Sequence, residues 1–209
     1  MIILGIDPGL AHTGWGIVET RGSLCRARAY GCVTTHSGEP IDLRLGKIFD
    51  EVSRAIEAYH PTQLAIEQLF FGENARSAVA TAQARGVAIV ACAQAGLEVG
   101  EYTPMQIKQA VVGTGAADKR QVMFMVRSIL NLDHEPRPDH AADALAAAIC
   151  HAHLCRTKAL ARDASPDEVR AAEVAQLELS RLQSREVTAA ARAANARRHA
   201  HGAERNDIA

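Results

Sequence analysis

The chain is 209 residues long, 48% hydrophobic and 22% charged, with 23 basic residues against 24 acidic ones. These values fit one globular domain with an appendage and exclude a chain disordered throughout. The net charge of −1 excludes a histone-like polycation but leaves room for a local basic face.

Ile2-Ile3-Leu4-Gly5-Ile6-Asp7 is a short apolar run and reads as a buried strand. Pro8-Gly9 punctuates it, and Thr13 to Glu19 forms a second strand. Cys25 to Thr35 supplies a third, and the short links favour an antiparallel meander. Leu43 to Tyr59 carries Leu45, Ile48, Phe49, Val52 and Ile56 on one helical stripe, and Pro61 ends it. Leu64 to Glu67 is a fourth strand. Ala75 to Ala95 is apolar nearly all round and predicts a helix buried on several sides, including against a partner subunit. Val99 to Thr103 is a fifth strand, and Gln106 to Val112, Lys119 to Leu130 and Asp139 to Cys155 are helices. Strands first, then helices alternating with strands, make an α/β domain.

Composition shifts near residue 155. All 4 Phe, all 3 Tyr and the single Trp lie before that point. Residues 1–155 are therefore expected to form the folded domain, and 156–209 an Ala/Arg-rich tail that is helical or disordered. Cys25, Cys32, Cys92, Cys150 and Cys155 are odd in number and irregular in spacing. With no basic-then-apolar leader and no long apolar stretch, they predict a soluble, cytoplasmic protein without membrane contact.

Acids at the ends of apolar strands need a reason. Asp7 closes the first strand, and Glu67 follows Leu64-Ala65-Ile66. A charge entering a core costs several kcal/mol, in order of magnitude, unless it is paired or bound to a metal. A third group comes from Pro138-Asp139-His140-Ala141-Ala142-Asp143, where Asp139 and His140 share a helical face with Asp143. Asp139, next to Pro138, reads as an N-cap. Three separated carboxylates and an imidazole suit divalent ions, which two-metal sites use on phosphodiesters. A carboxylate that merely caps a turn remains the alternative for Asp7 and for Glu67 taken singly.

Four motifs also carry a resemblance. Gly5-Ile6-Asp7-Pro8-Gly9, Ala65-Ile66-Glu67-Gln68, Gln83-Ala84-Arg85-Gly86-Val87-Ala88 and Ala141-Ala142-Asp143-Ala144-Leu145-Ala146 resemble the RuvC family of bacterial Holliday-junction resolvases. The resemblance covers about residues 1–155. It implies a ribonuclease-H-like mixed five-stranded sheet flanked by helices. It also implies a homodimeric endonuclease that resolves four-way DNA junctions by paired symmetrical nicks, in recombination and repair, beside a branch-migration motor complex. Asp7, Glu67, His140 and Asp143 become catalytic, metal-binding positions for two divalent ions, Mg²⁺ or Mn²⁺. Asp7 would bridge the two ions. His140 stands where many relatives have Asp; it is read as a ligand, with general base as the alternative, and an imidazole ligand favours Mn²⁺.

The same resemblance assigns DNA contacts. Lys108 and Lys119 would meet the phosphate backbone, and Phe70 would stack on a base near the crossover. Arg76 and Arg120 are weaker candidates. Cys150-His151-Ala152-His153-Leu154-Cys155 invites a zinc site, but its pairs fall on different helix faces, so a plain helix end is preferred. Rival readings are a sugar-kinase or actin-like ATPase, which needs a second domain, another ribonuclease-H-class nuclease, and a non-enzymatic DNA-binding protein.

Overall fold

The structure is a computed structural model and describes residues 1–69 and 75–163. Backbone packing divides the chain into two units, Met1–Thr157 and Lys158–Ala209. The elements in chain order are β1 (Ile2–Asp7), β2 (His12–Arg21), β3 (Leu24–Thr34), α1 (Ile41–Tyr59), β4 (Gln63–Glu67), α2 (Ala75–Gln94), β5 (Glu98–Tyr102), α3 (Pro104–Val112), α4 (Lys119–Leu130) and α5 (Asp139–Asp163).

The five strands form one sheet in the order β3-β2-β1-β4-β5. β1, β2 and β3 are antiparallel neighbours, as their short links require. β4 and β5 join parallel to β1 after helical crossovers. This is the mixed, ribonuclease-H-like sheet with helices on both faces.

Side chains on a strand alternate between faces, and that rule sorts the core into two halves. Leu4, Ile6, Ile17, Leu64 and Ile66 pack with Ile48 and Val52 of α1 and Ala84 and Ala88 of α2. Ile3, Val18 and Ala65 face the other way, onto Val122 and Val126 of α4 and Leu145 and Ile149 of α5. Asp7 has the parity of Ile3 and Gly5, and Glu67 has the parity of Ala65. Alternation therefore directs both acids to the face that α5 covers.

α5 lies unusually close to that face. Ala141, Ala142, Ala144, Ala146, Ala147 and Ala148 are all buried. A methyl group added at Gly5 would overlap the Ala144 carbonyl, and one at Gly14 would overlap that of His140. Small residues on both sides let helix backbone rest on strand backbone. Asp7 pairs with Gly14 across the β1–β2 ladder, so this contact places the start of α5 over the end of β1.

Some boundaries differ from the sequence expectation. α1 begins at Ile41, directly after Pro40. α3 begins at Pro104, because Thr103 and Gln106 form a reciprocal capping box. α5 does not stop at Cys155 but continues to Asp163. Asp139 does not precede the helix as an N-cap; it is the first helical residue, and its carboxylate pairs with Lys119. Among the described residues no helix is long and apolar enough to cross a membrane, and all five cysteines are free.

Candidate metal centre and nucleic-acid cleft

Three of the expected residues converge at the α5 end of β1. The Nδ1 of His140 lies 2.7 Å from Oδ2 of Asp7. Donor atoms of Asp7, His140 and Asp143 all lie within 4.8 Å of one another. Among the described residues this is the one group of three or more His, Cys, Asp or Glu so arranged. His140 and Asp143 are three apart on α5, so one helical face presents both. Two carboxylates and an imidazole at this spacing fit a divalent cation.

Glu67 borders this cluster. β4 runs parallel to β1 with Ile66 beside Ile6, which sets Glu67 next to Asp7. Burial pushes the Glu67 carboxyl up to about 7, and the charges of Asp7 and Asp143 add to that; Lys108 acts against it. Asp143 is also raised, first by burial and then by Asp7, with Lys119 opposing. Crowded, half-buried acids that resist ionisation are what a bound cation would relieve. His140 is raised above its ordinary value chiefly by its hydrogen bond to Asp7, against the effect of burial.

Both expected lysines are at the site. Lys108 and Lys119 line the same cleft as Glu67 and Asp143, with a volume of about 290 Å³. Lys119 is already engaged: its ammonium lies 3.3 Å from Oδ2 of Asp139 and 3.3 Å from Oδ2 of Asp143. Burial works against its charge, but Asp143 and Asp139 together outweigh that and hold its pKa above the ordinary value. Phe70 and the Arg76 side chain lie outside the described residues, and Arg120 is exposed near the start of α4.

The contacts of two residues, Arg85 and His12, were not anticipated from the sequence. Arg85 donates from Nε to the backbone carbonyl of Glu67 at 3.2 Å and pairs through Nη2 with Glu101 at 2.9 Å. The motif that holds Arg85 was visible, but its target on β4 was not. His12 stacks on His140, with ring centroids 5.3 Å apart and planes at 17°. Its signal was parity alone: His12 alternates in phase with Gly14, on the face that meets α5.

The Cys/His run on α5 does not converge on one point: Cys155 Sγ lies 3.4 Å from His151 Nε2, while Cys150 and His153 bond elsewhere. Cys150 Sγ donates to the Gln106 carbonyl at 3.6 Å, and His153 Nδ1 lies 3.0 Å from the Ala110 carbonyl. His151 hydrogen-bonds with the Tyr102 hydroxyl through Nδ1 and with the Gln63 side chain through Nε2. These side chains tie α5 to α3, β4 and β5.

α2 presents a second feature. Ala84, Ala88, Ala91 and Cys92 face the core, while Val79 and Val90 are exposed. Leu45 and Phe49 of α1 and Gly86, Val87 and Val90 of α2 line an apolar groove of about 510 Å³.

Comparison with known proteins agrees with this geometry. Residues 3–151 match the family model described as crossover junction endodeoxyribonuclease RuvC. The protein of that name from Desulforamulus reducens is 49% identical over 157 residues, spanning 75% of this chain and 96% of the relative. Its namesake from Rubrobacter xylanophilus is 51% identical over 158 residues, spanning 76% and 88%. The solved structure of Thermus thermophilus RuvC with a Holliday junction substrate superposes with a TM-score of 0.73 at 40% identity, covering 76% of this chain and 96% of that one. With the match running across every strand of the sheet and all three converging donors, this chain belongs to the RuvC family of crossover junction endodeoxyribonucleases.

Proposed function

We propose that this protein is a metal-dependent endonuclease that cuts four-way DNA junctions by paired, symmetrical hydrolysis of phosphodiesters. One observation carries the reading: the convergence of Asp7, His140 and Asp143 beside Glu67, in a member of a family whose Thermus thermophilus relative is solved with a Holliday junction substrate. Recombination and repair are the settings in which such junctions arise.

Asp7, Glu67, His140 and Asp143 are the proposed catalytic positions and would hold two divalent ions, Mg²⁺ or Mn²⁺, with Mn²⁺ favoured by the imidazole. When bound, such ions polarise the phosphodiester and lower the pKa of water. The residues supply the rest. Asp7 orients the His140 ring through Nδ1, and Glu67 must give up a proton held to about pH 7 before it can act as a ligand. Lys108 and Lys119 stand in the cleft to receive phosphate, and Phe70 is proposed to stack on a base near the crossover. The Asp7–His140 hydrogen bond also suits an imidazole that accepts a proton from attacking water. That is the second reading of this residue.

Further parts follow from the same membership. Residues 1–155 are proposed as the nuclease domain, and 156–209 as a tail that the chemistry does not need. A homodimer through α2 is favoured by its exposed Val79 and Val90 and the apolar groove against α1. A branch-migration motor complex is the proposed partner in the cytoplasm.

The test is cleavage of a synthetic four-way junction beside a linear duplex and an RNA–DNA hybrid, each with Mg²⁺ or Mn²⁺. Paired nicks in the junction alone, lost in Asp7→Asn while binding persists, are expected. Cutting of the hybrid instead would move the protein to another ribonuclease-H class, and undiminished function in Asp7→Asn would make it a binding protein.

A further inference from the structure

His140 is held on two sides. Asp7 takes the edge of its ring through Nδ1, at 2.7 Å. His12 takes its face, nearly parallel at 17° with centroids 5.3 Å apart. His12 is itself tied to the sheet: its Nδ1 lies 3.4 Å from the Thr34 hydroxyl, and the two residues pair across β2 and β3. His12 is not among the converging donors, which are Asp7, His140 and Asp143.

An imidazole has two side-chain torsions. A hydrogen bond at one ring atom fixes where the edge points but still allows the plane to rock. A flat neighbour laid against the ring removes that rocking. For a nitrogen ligand the plane matters, because the lone pair lies in it. Partners that orient a metal-binding histidine act on affinity from outside the ligand set. Imidazole also discriminates between ions: transition metals accept it more readily than Mg²⁺ does. A residue that fixes the ring plane therefore acts on the choice of ion as well as on affinity.

We propose that His12 is a positioning residue that fixes the ring plane of His140 by stacking, and so sets the preference of the site for Mn²⁺ over Mg²⁺. The proposal rests on the reading of His140 as a ligand. His12 is exposed at the start of β2, so its replacement removes the stack without opening the core.

The experiment is Mn²⁺ binding to the full chain, followed by electron paramagnetic resonance of the free ion, with Mg²⁺ measured by competition. It compares the parent protein with His12→Ala, His12→Phe, His140→Ala and the double His12→Ala/His140→Ala variant. His12→Ala should weaken Mn²⁺ binding about three- to tenfold, below the roughly 10–100-fold cost of removing a hydrogen-bonded partner of a metal ligand because a stack holds the ring less firmly, and change Mg²⁺ binding less. His12→Phe keeps a flat ring without a ligating nitrogen and should restore the ratio. In the double variant the effect of His12 should vanish. An unchanged Mn²⁺/Mg²⁺ ratio in His12→Ala, with His140→Ala still lowering it, overturns this proposal alone. A His12→Phe protein as weak as His12→Ala also overturns it, because the imidazole nitrogens rather than the ring face would then matter. An unchanged ratio in His140→Ala removes the ligand reading and this proposal with it.

Discussion

The ammonium of Lys119 lies 3.3 Å from the carboxylate of Asp143, on the wall of the cleft that Glu67 and Asp143 also line. It occupies ground that a divalent cation and a DNA phosphate would also claim. Lys119→Met should therefore have two opposite effects. Divalent binding should tighten, because a competing charge is gone. The salt dependence of junction binding should flatten by about 0.9 in its logarithmic slope, the value of one phosphate contact. Folding stability should change by less than about 1 kcal/mol, since the pair is half exposed. Metal calorimetry and junction binding at several salt concentrations check all three.

Asp7 is the residue on which the site turns. Asp7→Asn keeps the shape of the β1 terminus but removes the charge that faces His140 and Asp143. Cleavage should fall more than about 100-fold, beyond the usual cost of losing a group that only orients a metal ligand, while junction binding persists. Gel-shift and single-turnover cleavage on one preparation separate the two. Histidine titration by NMR should show the His140 pKa moving down, since its hydrogen bond to Asp7 is the main cause of its elevation.

Without metal, the site should make folding depend on pH. Glu67, Asp143 and His140 all hold their protons more tightly folded than unfolded. Each therefore contributes stability that is full below its unfolded pKa and lost as pH rises through its folded one. For Glu67 that window runs from 4.5 to about 7. In chelator, the parent's melting temperature relative to Glu67→Gln should fall as pH rises through this window. Added divalent ion should reverse the fall at the upper end. A difference that stays flat with pH contradicts the crowding of charge described above.

The contact of α5 with the sheet predicts a backbone effect. A methyl group at Gly14 overlaps the carbonyl of His140, and neither partner is a flexible side chain. Gly14→Ala should cost about 1–3 kcal/mol or more, as overpacking does, and should lower cleavage further than that loss explains, because His140 moves with its carbonyl. Thermal denaturation and cleavage at a temperature where the variant is fully folded check this.

Much of the architecture was legible because its signals are local. Ile2 to Asp7 is a short apolar run closed by an acid and a Pro-Gly break, and it is β1. Ile48, Val52 and Ile56 repeat at helical spacing and face the core. The Thr103 to Gln106 spacing also announces a capping box, yet the helix expected there starts at Gln106 rather than Pro104. The site was legible only in part. Asp7 and His140 are 133 residues apart, and no periodicity relates them; only the shared chemistry of divalent-ion ligands, and then the family resemblance, grouped them. Contacts made by a side chain on one element to a carbonyl or ring on another, such as Arg85 to Glu67 or His12 to His140, leave no mark on local spacing.

β1 is bonded on both edges, to β2 and to β4, and covered by helices on both faces. Amide protons of Leu4, Gly5 and Ile6 can therefore exchange with solvent only when the whole domain opens. Asp7 ends this doubly bonded strand, whereas His140 and Asp143 stand in the first turns of a helix. Breathing motions of the native protein will thus be felt as α5 shifting against a fixed Asp7. A strand expected to exchange only on global opening is thus the reference from which the spacing of the site is set.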